Sequence, residues 1–120
     1  MTQDETVATL VPGRIVWADG DPVRGREQGG RRPFVVVSSS DHLELADTLM
    51  LVAPVTSARR NWANHVRVMG DTGLQRKSWV MTEQVRVMSR ERIFGYLGNV
   101  SPQCLGRVRL WVGEFLGIVT

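Results

Sequence analysis

The sequence predicts a mainly β fold that ends in one helix. Short apolar segments rich in β-branched residues recur between residues 14 and 100, and glycine, proline or polar turns separate them. From Ser101 onward the apolar residues recur at helical spacing instead. Roughly five to seven short strands and one terminal helix are typical of a small, curved, barrel-like β domain capped by the helix.

The first half of the chain contains three predicted strands, each apolar on both faces as buried strands are. They cover residues 14–18, 34–38 and 49–55. Gly13 opens the first strand, and Pro54 lies near the end of the third, because proline cannot donate to a central ladder. Residues 19–33 form a long charged loop, and residues 39–48 form a polar connection with room for one helical turn.

The second half of the chain is predicted to contain shorter strands and then the helix. Residues 65–68 alternate polar and apolar, which indicates a half-exposed strand, and further strands are expected at 78–81, 84–88 and 95–100. Ser101 is a typical N-cap, and a proline follows at the first helical position. One apolar face of the helix is expected from Leu105, Val108, Val112, Phe115, Leu116 and Val119.

The bulk properties favour one intracellular domain. With 120 residues the chain fits a single domain, which we place at residues 13–120 after a flexible N-terminal leader at residues 1–12. No apolar run approaches the roughly 18–20 residues of a membrane span, and the leader lacks the pattern of a secretory signal. The single cysteine, Cys104, excludes an internal disulfide. We therefore expect a cytoplasmic location.

The loop at residues 22–33 carries the strongest functional signal. It holds four arginines, a glutamate and a glutamine between three glycines, and it runs directly into an apolar strand. The chain has 15 basic and 12 acidic residues, and Lys77 is the single lysine. Guanidinium groups match phosphate oxygens in a bidentate fork, so an anionic partner, and phosphate in particular, is indicated.

Metal and nucleotide motifs are missing from the sequence. His42 and His65 lie far apart without ligand spacing, and we interpret them as exposed or hydrogen-bonded side chains. Cys104 is interpreted as structural. Trp62 lies in a basic loop, where it is either a surface residue or a platform on which a base stacks. No metal site and no cofactor are therefore predicted.

The motifs taken together resemble the MazF/PemK family of bacterial toxin endoribonucleases. The specific part is the loop Asp21–Pro33, which is similar to the signature loop of that family. The segments before and after it, 13–19 and 34–38, resemble the first two strands, and Ala53-Pro54-Val55-Thr56-Ser57 resembles a proline-containing strand end. Thr82-Glu83-Gln84-Val85-Arg86 is similar to a later Glu-Gln motif. The resemblance covers residues 13 to about 117.

The resemblance implies an SH3-like small β-barrel of the PemK/CcdB type that works as a homodimer. It implies sequence-specific, metal-independent cleavage of single-stranded RNA, chiefly mRNA, to 2′,3′-cyclic phosphate and 5′-hydroxyl ends. Such cleavage inhibits translation and growth. A cognate MazE-like antitoxin is the implied protein partner, and no membrane is involved.

The same resemblance implies catalytic roles for Arg32, Thr56 and Glu27. Arginine stabilises charge on a phosphate, and threonine can donate its hydroxyl to the same group. Glu27 is the candidate base, and Arg32 or a water takes that role if Glu27 is out of reach. RNA contacts are expected from Arg24, Gln28, Arg31, Ser57 and Gln84, with Arg26, Arg59 and Arg60 either on phosphates or on a solvated surface.

Two other functions remain open at the level of sequence. A CcdB-like toxin of the same fold acts on DNA gyrase, and there the C-terminal helix residues Trp111 and Gly113 would carry the action. A non-catalytic SH3-like module that binds RNA or a peptide is the second alternative. The Arg32-Pro33 and Pro54-Val55-Thr56 motifs weigh against the first alternative, and the presence of Arg32, Thr56 and Glu27 weighs against the second.

Overall fold

The computed structural model describes residues 9–20 and 30–118. The predicted class is confirmed: these residues form an antiparallel sheet and a C-terminal helix. The elements are β1 (Arg14–Asp19), β2 (Arg31–Val36), α1 (Ser40–Leu45), β3 (Leu49–Thr56), β4 (His65–Arg67), β5 (Trp79–Met81), β6 (Arg86–Ser89), β7 (Ile93–Asn99) and α2 (Pro102–Phe115). Single 3₁₀ turns occur at Thr82–Gln84 and Arg90–Arg92.

The strands lie in the order β4-β5-β3-β2-β1-β7, and β6 also pairs with β3. The sheet does not close into a full barrel, so the barrel description holds only loosely. β2 begins at Arg31, three residues before the strand that the sequence predicted, because Arg31 and Arg32 pair with Asp19 and Ala18 of β1. The described part of the loop therefore delivers two charged residues into the sheet itself.

Backbone hydrogen bonds link the two ends of the curved sheet. The segment after β4 accepts bonds from the end of β7: Gly98 N–H donates to Thr72 O at 2.9 Å, and Asn99 N–H to Asp71 O at 3.0 Å. A Cβ at Gly98 would lie 2.0 Å from Asp71 O, so only glycine permits this approach. Ser101 N–H extends the same contact to Met69 O.

Each face of the sheet carries a buried core. The core on the α2 side, called the helix-side core, contains apolar residues from the strands together with Cys104, Leu105 and Val108 of the helix. The second core lies on the opposite face, where Leu43 of α1 packs with Met88 of β6. Leu10 packs against that second core, and residues 1–8 of the predicted leader lie outside the described residues.

The helix α2 begins where the sequence predicted. Ser101 caps it by accepting a hydrogen bond from Cys104 N–H at 3.1 Å, and Pro102 is its first residue. Leu105 and Val108 of the predicted apolar face are buried, Phe115 and Leu116 are exposed, and Val119 lies outside the described residues. No described helix has the length and apolar character that crossing a membrane requires.

Cys104 has the surroundings of a structural thiol. It is buried in the helix-side core, and its Sγ donates to Arg67 O at 3.4 Å. Burial raises the pKa of the Cys104 thiol, which keeps it protonated and unreactive at neutral pH.

Candidate active site

The site forms where β2 starts and β3 ends. Phe34 lies opposite Pro54, and Val36 lies opposite Val52, in the antiparallel ladder between these strands. Continuing that register by two residues sets Arg32 across from Thr56, with both on the same face because side chains alternate along a strand. Two residues that are 24 positions apart in the sequence are thereby brought together.

Arg32 and Thr56 line one open cleft of about 380 Å³. Its walls come from the start of β2, the end of β3, one residue of β1 and the segment that leads into β5. The lining residues are Trp17, Arg31, Arg32, Pro33, Val55, Thr56, Ser57, Leu74, Gln75, Arg76 and Ser78. Three guanidinium groups line the cleft, and none of its described lining residues is acidic, so its electrostatic character suits an anion.

The two central side chains are available for a ligand. Arg32 is exposed and makes no hydrogen bond or ion pair with another described residue. Thr56 Oγ1 accepts a hydrogen bond from Ala58 N–H at 3.0 Å, which fixes the hydroxyl oxygen and leaves its proton free to donate. A forked cation and a hydroxyl donor at one point of a cleft can both bind one phosphate group.

Arg31 differs from Arg32 because other residues of the sheet hold it. Its Nε lies 3.3 Å from Asp19 Oδ1, and its guanidinium lies 4.3 Å from the centre of the Phe94 ring. Trp17 contacts Phe94 edge-on, with ring centres 6.3 Å apart. Arg31 thus lines the cleft, but a carboxylate already compensates part of its charge.

The root of the signature loop lies beside the cleft. Gly20 N–H donates to Gly30 O at 2.8 Å, and the Arg92 guanidinium donates to Gly20 O. These bonds hold the two ends of the loop next to Arg31 and Arg32. Glu27, Arg24 and Gln28 fall within residues 21–29, outside the described residues, so their predicted roles stay predictions.

Of the two other predicted RNA contacts, Ser57 lines the cleft and Gln84 does not. Gln84 Nε2 lies 3.7 Å from Met81 Sδ in the turn between β5 and β6. Both β5 and β6 pair with β3: Val55 is opposite Val80, and Met50 is opposite Met88. Between these two pairs β3 advances by five residues, whereas the chain from Val80 to Met88 advances by eight. The three extra residues form the Thr82–Gln84 turn.

The Glu-Gln motif has a structural contact that the sequence did not predict. His65 Nε2 lies 3.1 Å from both carboxylate oxygens of Glu83, and Asn64 Nδ2 donates to Glu83 Oε1 at 2.7 Å. Thr82 is fully buried and donates to Asn64 O at 2.7 Å, which fixes the turn. The motif thus ties β4 to the β5–β6 connection.

Of the two states predicted for His65, exposed or hydrogen-bonded, the structure has the hydrogen-bonded one. Its side chain is only 2% exposed, and Trp62 packs beside it with ring centres 4.8 Å apart. Trp62 itself remains exposed.

Burial of the Glu83 carboxylate favours its protonated form, but hydrogen bonds from the backbone, His65 and Asn64 outweigh that effect and lower the pKa of Glu83.

A family model for PemK-like, MazF-like toxins of type II toxin–antitoxin systems matches residues 12–116. The chain belongs to this PemK/MazF toxin family. The match includes every described strand, the cleft and all of α2. It favours the endoribonuclease interpretation over the CcdB-like gyrase toxin and over the non-catalytic module.

Similar proteins support the assignment of this MazF-like toxin to the PemK/MazF family. The endoribonuclease MazF of Staphylococcus saprophyticus is 30% identical over 112 residues, which is 90% of this chain and 92% of the relative. The endoribonuclease toxin MazF of Escherichia coli K12 is 28% identical over 114 residues, covering 92% and 99% of the two chains. A MazE–MazF crystal structure from Deinococcus radiodurans superposes with a TM-score of 0.76 at 29% identity, covering 92% and 97%.

The structure of this MazF-like toxin adds cleft residues that sequence reasoning missed. Trp17, Leu74, Gln75 and Arg76 all line the cleft. The Gln75–Lys77 stretch is polar and basic and follows a glycine turn, which is a weak signal for a binding loop. Trp17 gave no such signal, because an aromatic residue within an apolar strand is ordinary core sequence.

Proposed function

We propose that this MazF-like toxin is a sequence-specific endoribonuclease that cuts single-stranded RNA, chiefly mRNA, without a metal ion. The observation that carries the proposal is the meeting of Arg32 and Thr56 across β2 and β3 in an open, cationic cleft. The MazF relatives of Escherichia coli and Staphylococcus saprophyticus are named endoribonucleases, which supports the same reaction class.

RNA supplies its own nucleophile for such a reaction. The 2′-oxygen attacks the adjacent phosphorus, a new bond forms between them, and the bond from phosphorus to the 5′-oxygen of the next nucleotide breaks. A base takes the proton of the 2′-hydroxyl, and an acid protonates the leaving 5′-oxygen. The products are a 2′,3′-cyclic phosphate and a 5′-hydroxyl, with no water consumed.

Arg32 and Thr56 meet the electrostatic demand of that reaction. Negative charge builds on the non-bridging phosphate oxygens as the fifth bond forms, and donors already aimed at these oxygens stabilise the transition state. The forked guanidinium of Arg32 supplies two parallel donors. The Thr56 hydroxyl, held by Ala58 N–H, supplies another donor.

Glu27 is the proposed base. The loop that carries it is rooted at Gly20 and Gly30, beside Arg32, and this placement supports the assignment. A carboxylate near a phosphate has a raised pKa, since the two negative charges repel each other, and a raised pKa improves a base at neutral pH. Arg24 and Gln28 of the same loop are proposed to contact the RNA strand, together with Arg31, Ser57 and Gln84.

The partners of the toxin follow from the family. A cognate MazE-like antitoxin is its protein partner, since the solved relative from Deinococcus radiodurans is a MazE–MazF complex. We also propose a homodimer in the cytoplasm. The exposed apolar residues at the end of α2 support dimerisation, because association would cover Leu110, Phe115, Leu116 and Ile118.

Cleavage of a long unstructured RNA in EDTA tests the proposal. The expected result is cutting at one short motif, with 2′,3′-cyclic phosphate on one product and a 5′-hydroxyl on the other. A folded protein that leaves the RNA intact, with or without added Mg²⁺, contradicts the proposal. Inhibition of gyrase by such a protein would instead establish the CcdB-like alternative.

A further inference from the structure

The segment Leu74–Ser78 forms one wall of the cleft and is held at both ends. Leu74 packs against the helix-side core, and its N–H donates to Thr72 Oγ1 at 3.2 Å. Ser78 is buried, and its carbonyl accepts a hydrogen bond from Val68 N–H at 2.9 Å. The residues between these two anchors are exposed, so the backbone presents their side chains from a fixed position.

The register of β5 sets this wall close to the catalytic pair. Trp79 lies opposite Thr56 in the ladder between β5 and β3. Arg76 precedes Trp79 by three residues and lines the same cleft as Arg32 and Thr56. A phosphate held at Arg32 and Thr56 would therefore lie in the same cleft as Arg76.

The charge of Arg76 is uncompensated among the described residues. Asp19 pairs with Arg31, whereas Arg76 forms no ion pair or side-chain hydrogen bond with any described residue. No described carboxylate lines the cleft. A free guanidinium on a fixed backbone inside a cationic cleft is suited to bind a phosphate in bidentate fashion.

We propose that Arg76 binds a backbone phosphate of the RNA that neighbours the scissile phosphate. This inference rests on the proposed endoribonuclease function and assigns a binding residue to its cleft. The contact is made in the ground state and in the transition state alike, so it holds the strand in register and does not take part in bond breaking. The Arg76–phosphate contact involves no base, so its contribution to affinity is the same for every RNA sequence.

The test compares Arg76→Ala with Lys77→Ala. Lys77 is the adjacent exposed cation and does not line the cleft, so both variants lose one positive charge at nearly the same place. The probe is a fluorescein-labelled 2′-fluoro RNA of mixed sequence, which lacks the attacking hydroxyl and reports binding alone. Anisotropy titrations at several salt concentrations give both the Kd and the slope of its salt dependence.

We expect Arg76→Ala to raise Kd about tenfold and to reduce the magnitude of the salt slope by about 0.7, the value for one phosphate on a single strand. Lys77→Ala should change neither quantity. On cleavable RNA, Arg76→Ala should raise KM and leave kcat within about twofold of wild type. Arg76→Gln, which keeps the aliphatic stem, should bind as weakly as Arg76→Ala if the charge is the cause.

Equal Kd values and salt slopes for Arg76→Ala and Lys77→Ala would overturn the inference, as would a loss confined to kcat. Failure of the proposed function gives a different pattern. A wild-type protein that binds the 2′-fluoro RNA but cuts no RNA loses the nuclease assignment, while the comparison of the two variants still decides whether Arg76 binds phosphate.

Discussion

Arg32 and Thr56 lie two residues beyond the Phe34–Pro54 pair that ends the β2–β3 ladder, they line the same cleft, and Phe34 belongs to the second core. The relationship is fixed by buried apolar packing, since a one-residue slip would turn Phe34 out of the core. The strand register that builds the core therefore also brings the two functional side chains together.

Thr56→Val tests the hydroxyl at nearly constant volume. The variant should lower kcat by about 10²-fold, the effect of removing one donor from a developing oxyanion, and leave RNA binding almost unchanged. Thr72→Val is the matched control, because Thr72 Oγ1 accepts a bond from Leu74 N–H just as Thr56 accepts one from Ala58. Both variants should lose similar stability in thermal melts, but the control should keep its kcat.

Glu27→Gln tests the proposed base. The amide keeps the size of the side chain but cannot accept the proton, so cleavage should slow by about 10²-fold or more while RNA affinity stays nearly intact. Single-turnover rates and Kd values for the 2′-fluoro RNA measure the two effects separately. An unchanged rate would remove Glu27 from the role of base.

The Glu83 carboxylate makes a contribution to the free energy of unfolding that depends on pH. The pKa of Glu83 in the folded protein lies below the ordinary value of 4.5, so its ionised form is favoured by folding. This contribution is fully present above about pH 5 and is lost as the pH falls through the lowered pKa. Urea unfolding between about pH 3 and about pH 7 should therefore show a steeper loss of stability at acid pH for wild type than for Glu83→Gln.

Glu44→Gln is the control for that series. Glu44 is exposed on α1, and the substitution removes one carboxylate without touching the His65–Glu83 contact. Its pH profile should follow that of wild type. If Glu83→Gln and Glu44→Gln give the same profile, the contact with His65 contributes nothing measurable to stability.

Gly98→Ala should weaken the link between the two ends of the sheet. The new methyl group would lie 2.0 Å from Asp71 O, and the backbone has to separate to admit it. We expect a loss of about 3 kcal/mol in the free energy of unfolding. Gly106→Ala on α2 is the matched control: nothing lies within 4 Å of the new Cβ, and the helix should gain about 0.5–1 kcal/mol. A neutral Gly98→Ala would contradict the described contact.

Local pattern was sufficient to predict the strands of the core and the start of α2. Apolar runs such as 34–37 and the Ser101-Pro102 cap carry their signal within a few residues. The same patterns misled where a distant partner decides the outcome. His65 alternates with apolar neighbours as an exposed residue would. Glu83, 18 positions away, accepts a hydrogen bond from the His65 ring nitrogen, and this bond allows the ring to be buried.

The site was predictable to the extent that its motifs are local. Arg32, Thr56 and Ser57 were predicted and meet in the cleft, because Arg-Pro and Pro-Val-Thr lie at the ends of recognisable strands. Arg76 was not predicted, since its place in the cleft depends on the pairing of β5 with β3. Phe115 and Leu116 follow the helical period but are exposed, because the period predicts which face of the helix a residue occupies and not what covers that face.

The most direct test of the account compares Arg32→Ala with Arg67→Ala in the formation of cyclic-phosphate ends on RNA in EDTA. Arg67 is an exposed arginine of β4 that does not line the cleft, so the two variants carry the same net charge. Arg32→Ala should lose about 10³-fold or more in single-turnover rate while the control cuts like wild type. Equal rates for the two variants would contradict the claim that the cleft at Arg32 and Thr56 is the active site.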